Sequence, residues 1–174
     1  MMNYSAIGIS SYLKPLLLLV LLLLGTRANG QRTITVVGSS WNVNPEPITE
    51  AGLNYIGTYE SASDQLLLTA RVPLLLTSGR VSVRYEPFPT WNNALNLSVR
   101  RTGNGTTTCL LCTINGGTAY QPITTTDTEL FNIQAVLALA AFNNIPIQLR
   151  LNGVSVTLPT GNYQSRVIFT IGPN

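Results

Sequence analysis

The chain has 174 residues, with ten basic and seven acidic side chains, two cysteines and no histidine. Without an imidazole there can be no histidine-paired serine or cysteine nucleophile and no histidine-ligated zinc. Charged residues make up 10% of the chain against roughly 25% in an ordinary soluble domain. Repulsion between copies is therefore weak, which favours a surface or assembly protein over a freely diffusing enzyme.

In chain order, the first feature is an address. Lys14 precedes an aliphatic run from Leu16 to Leu24, followed by Gly25, Thr26, Arg27, Ala28, Asn29 and Gly30. A basic residue, a short apolar core and small residues describe a secretory signal peptide. The run is far shorter than the about 20 residues a membrane-spanning helix needs. Cleavage is expected after Gly30, with a cut after Ala28 or an uncleaved anchor reaching back to Tyr12 as the alternatives. Residues 1–30 are thus read as a signal peptide and 31–174 as one domain, secreted to the periplasm or cell surface, with no membrane span in the mature part. That domain holds eight arginines and seven acids and no lysine. So even a balance offers no electrostatic footprint for nucleic acid.

Beyond residue 30, glycine, asparagine and proline turns separate short runs of period-two alternation, the pattern of half-buried strands. Val81, Val83 and Tyr85 form one apolar face; Leu95, Leu97 and Val99 form a second. Ile145, Ile147, Leu149 and Leu151 form a third, and Tyr163, Val167, Phe169 and Ile171 a fourth. Asn152-Gly153 predicts a two-residue hairpin into the run at Val154. The stretch from Leu130 to Phe142 is ambiguous. Leu130, Ile133, Leu137 and Ala141 have helical spacing, whereas Phe131, Ile133, Ala135, Leu137 and Leu139 alternate; its first half is read as strand. Many short strands without intervening helices predict an all-β, single-domain antiparallel β-sandwich, Ig-like or pilin-like.

Candidate sites are few. Cys109 and Cys112 enclose Leu110-Leu111 and are expected to join as a structural disulfide, which requires a turn or bulge because positions i and i+3 of a strand face opposite ways. Asp127 and Glu129 could share calcium with loop carbonyls. A glycosidase-type carboxylate pair would have to come from Glu46, Glu50, Glu60, Asp64, Glu86, Asp127 and Glu129. Solvated charge is the better reading of both sets, so no catalytic residue, metal site or cofactor is assigned. Asn96-Leu97-Ser98 and Asn104-Gly105-Thr106 match the N-glycosylation pattern. Trp41, Phe88 and Trp91 are candidate glycan-stacking aromatics, against the plainer reading that both tryptophans cap the core. Arg100-Arg101 reads as one outward and one partly turned residue at a strand end.

The chain ends carry the functional suggestion. Residues Leu158 to Ile171 place a Gly161-Asn162-Tyr163 turn before an alternating apolar strand. This segment resembles the closing strand of secreted pilin-type subunits and is similar to the end of the spore coat protein U family. The chain departs from pilins in carrying both cysteines within one tetrapeptide and Pro173 near the end. Residues 32–37 form a short alternating arm, in which Ile34 and Val36 could fill pockets of a neighbouring sheet by strand addition. The alternative is that they form the first strand of their own domain. The expectation is therefore an exported structural or adhesive subunit, without catalysis. It would self-associate or join other surface subunits through Ile34, Val36, Gly161, Tyr163, Val167, Phe169 and Ile171. A secreted carbohydrate-binding module using Trp91, Phe88 and Trp41 is the rival, with a glycan as partner.

Overall fold

The computed structural model describes residues 31–73, 78–135 and 140–174; the expected signal peptide lies outside them. The described residues form two antiparallel sheets and no helix. The strands are β1 (Thr33–Gly38), β2 (Thr58–Glu60), β3 (Leu66–Val72), β4 (Ser78–Pro87) and β5 (Asn96–Arg101). Then come β6 (Cys112–Asn115), β7 (Gln121–Pro122), β8 (Thr128–Ala135), β9 (Ala140–Asn152) and β10 (Ser165–Gly172). One sheet runs β1-β3-β9-β5-β7, with β2 beside the far end of β9; the other runs β10-β4-β8-β6. This is the predicted sandwich.

Alternation explains the core. Val81 and Val83 are fully buried while Arg80, next to Val81, is exposed. Val99, Ile145 and Ile147 face them from the other sheet's strands, and Phe131 and Ile133 come from β8. Each such side chain contributes about 1.5–3 kcal/mol by leaving water. Leu130 to Ala135 is strand, as read, and residues 136–139 lie outside the described part. The helical spacing in that segment has a specific cause. Val81 pairs with Phe131 and Ser82 with Glu129, so Leu130 is an extra residue at a register shift. Leu130 and Phe131 are consequently both buried.

A second irregularity lets β9 run for 13 residues. Leu68 pairs with Ile145 and Ala70 with Phe142, so Asn143 and Asn144 together oppose Thr69. Asn144 adopts a φ of 54°, a left-handed conformation that asparagine tolerates better than most residues. Pro146 sits inside this strand, yet its carbonyl accepts a bond from Thr102 N beyond the end of β5. A residue's N–H and C=O point to the same side of a strand, so the proline's missing donor costs no bond to β3.

The predicted hairpin at Asn152-Gly153 does not form. Asn152 already pairs with Thr58 of β2 on one side and Asn96 of β5 on the other. Neither flank is open to a returning strand. Gly153 instead turns with φ 89°, where a Cβ would collide with the Ala94 carbonyl oxygen, and donates its N–H to Gly57 O at 2.9 Å. Residues 153–164 then lead the chain to β10 in the opposite sheet.

Candidate functional site

The first and last described strands meet at one side of the sandwich. β1 pairs with β3 from Thr33↔Arg71 to Gly38↔Leu66, and no described strand covers its other side. β10 pairs with β4 from Ser165↔Pro87 to Gly172↔Arg80, and likewise ends its sheet. The two edge strands contact each other across the sandwich. Arg32 anchors this corner, its Nε donating to Ser78 O at 2.8 Å.

The arm residues thus serve first as the domain's own strand. Ile34 and Val36 stand opposite Ala70 and Leu68, which are core residues, so they occupy the inner face. Ile34 packs against the core, but Val36 remains 46% exposed and Val37, on the outer face, 66%. No residue from Thr33 to Gly38 is charged or proline. In β10, Val167, Phe169 and Ile171 stand opposite Tyr85, Val83 and Val81 and pack inward. Gly161 and Tyr163 lie before that strand rather than on its face. The Tyr163 hydroxyl donates to the Pro159 carbonyl, closing a turn over Gly161.

The other side of the sandwich is built differently. β7 has two residues and includes Pro122; β6 has four and begins at Cys112. Cys109 and Cys112 lie within disulfide distance, with Cα atoms 5.4 Å apart, and Leu110 projects from the turn between them at 99% exposure. Arg101 does not stay partly turned at its strand end. It points inward and is only 6% exposed, with carbonyls of Gly103, Ile114 and Gly116 and the Asn104 side chain accepting its N–H groups. Burial pulls its pKa down from the ordinary arginine value. These acceptors compensate the charge there.

The tryptophans do not form an open platform. Trp41 and Trp91 are half-buried against the core, and the Trp91 ring lies 5.6 Å from Tyr85 at 50°. Trp91 Nε1 is buried without a hydrogen-bond partner among the described residues. Phe88 is exposed, with the Arg166 guanidinium 5.7 Å from its centroid. Asp127 faces Arg84 at 3.6 Å and Glu129 accepts from Asn132 Nδ2 at 3.3 Å. An arginine beside Asp127 competes with any cation there. Asn96 lies within β5 and Asn104 in the exposed loop after it.

One polar cluster escaped the sequence reading. On the outer face of the larger sheet the Tyr120 ring lies 3.5 Å from the Arg150 guanidinium and 4.4 Å from that of Arg100. Arg150 donates to Glu60 Oε1 at 2.6 and 2.9 Å, and Arg100 to Gln148 Oε1 at 2.8 and 3.0 Å. Gln148 in turn donates to Ser61 O at 2.9 Å. The Arg150 hydrogen bond holds the Glu60 carboxyl below its usual pKa, and burial pushes the Tyr120 hydroxyl up. Both guanidiniums are engaged, so the cluster pins the segment before β7 to the sheet. Arg100, Gln148 and Arg150 were legible as outward positions of paired strands; Tyr120 and Glu60 had no sequence signal.

No family model, curated protein or solved structure matches this chain. Fold and site therefore define the protein at one level: an all-β antiparallel sandwich with two neighbouring edges that no described strand covers.

Proposed function

We propose that this protein is an exported structural or adhesive surface subunit that assembles through β-strand pairing at the β1–β10 side. One observation carries the reading: β1 is an uncharged, proline-free edge strand with Val36 and Val37 exposed. Edge strands of monomeric proteins are ordinarily shortened, charged, bulged or covered, because their free N–H and C=O groups template pairing. The signal-peptide pattern and the low charge point the same way, as does the resemblance of the closing segment to pilin-type subunits. Glycan binding through Trp41, Phe88 and Trp91 draws less support, because two of those three rings are spent largely on the core.

The test is Val37→Lys in the full-length sequence, followed by sizing and electron microscopy. Val37 faces solvent, so folding stability should change by no more than about 0.5 kcal/mol. Assembly should fall by roughly tenfold or more as the edge acquires a charge. A wild type and variant that are equally monomeric would contradict the proposal, and saturable quenching of tryptophan fluorescence by a glycan, lost on Trp91→Ala, would favour the rival.

A further inference from the structure

Building on that assembly reading, we infer that the strand accepted by β1 is β1 of a second copy, antiparallel, with the twofold axis through Thr35. Residues opposed on antiparallel strands share a face. Ile34 and Val36 belong to the inner face of β1, and Thr33, Thr35 and Val37 to the outer. Only registers that oppose inner to inner and outer to outer continue the sandwich, and this restricts the axis to a residue rather than a gap between residues.

Over residues 32–38, an axis outside Ile34, Thr35 and Val36 would pair three residues at most, and side chains separate those three. Through Ile34, the axis would set Arg32 against Val36, an ion against an apolar side chain. Through Val36, it would set Ile34 opposite Gly38 and remove its apolar partner. Through Thr35, Ile34 meets Val36 twice, Thr33 meets Val37 twice and Thr35 meets itself. Arg32 then falls opposite Gly38, which has no side chain, and keeps its bond to Ser78 of its own subunit. Threonine pairs and β-branched apolar pairs are favourable cross-strand neighbours. No like charges oppose one another, and the exposed surface of Val36 and Val37 is covered. Alternate residues turn their N–H and C=O groups outward, so a register that preserves faces also preserves the ladder bonds.

Variants of the full-length chain with one added cysteine, the Cys109–Cys112 pair left in place, read the register directly, as intermolecular disulfides formed under mild oxidation and resolved on non-reducing gels. Opposed Cα atoms lie about 4.5–5.5 Å apart, inside the range a disulfide spans. Thr35→Cys should cross-link with itself. Thr33→Cys and Val37→Cys should cross-link roughly tenfold faster when mixed than alone, because only the mixture opposes two thiols. As a second measurement, Thr35→Lys should weaken self-association roughly tenfold or more by facing two ammonium groups at the axis. If Thr33→Cys or Val37→Cys links with itself as fast as in the mixture, while the chain still assembles, this register is wrong and edge assembly stands. A wild type that is monomeric at every concentration overturns both.

Discussion

On one side of the sandwich β7 spans two residues and contains Pro122, while β6 spans four and springs from a disulfide-closed turn. On the other, β1 runs six residues and β10 eight, and β1 has neither charge nor proline. Charge is not what separates the two sides, since residues 102–126 around β6 and β7 carry no charged side chain at all. Length, proline and covalent closure make the difference. A two-residue edge offers too few backbone groups to template a neighbour, whereas a six-residue edge with exposed valines offers a full ladder. The side that contains the cysteines ends in short edges; the side that contains β1 and β10 ends in long ones that no described strand covers.

The contrast can be broken from the closed side first. Arg101 ties β5 to the segment leading from β6, and Arg101→Met would leave the Gly116 and Ile114 carbonyls unpaired. The expected cost is about 2–3 kcal/mol in urea unfolding, with self-association at native concentrations unchanged. Replacing Cys109 and Cys112 together by serine opens a very small loop. It should cost at most about 2 kcal/mol, again without effect on assembly. A gain of assembly in either variant would show that the closed side had been protected only by these ties.

The smallest effect concerns the outer-face cluster. Arg150 holds the Glu60 carboxyl below its ordinary value. A depressed carboxyl contributes stability that is present above the ordinary glutamate range and lost as pH falls through the depressed value. Glu60→Gln should therefore lower stability slightly at neutral pH and leave it almost unchanged at the acid end, so that the acid limb flattens, measured by thermal unfolding from neutral to acidic pH. Glu60 is exposed, so solvent screening keeps this effect small.

Much of the fold was legible because alternation in β4, β5, β9 and β10 needs only a two-residue count. What escaped were the places where a partner strand changes the count. Leu130 and the Asn143-Asn144 pair are extra residues whose accommodation depends on what lies opposite, which no local pattern encodes. The failed hairpin at Asn152-Gly153 has the same origin: the turn residues were suitable, but β2 and β5 had already taken both flanks. Arg101 turns further inward than the partly turned position expected of the Arg100-Arg101 pair, because its partners are mainly backbone carbonyls, invisible to residue type. Of the candidate site, the apolar alternation of Ile34 and Val36 was readable, as was the alternative that residues 32–37 form the first strand of their own domain; that no described strand covers its other side was not.

Amide hydrogen exchange followed against protein concentration tests the difference between the two sides most directly. Protection of the amides from 33 to 38 should rise as concentration increases, while those from 112 to 122 keep a constant exchange rate. Concentration-independent exchange in β1, in a protein otherwise shown to self-associate, would place the contact elsewhere and contradict the account.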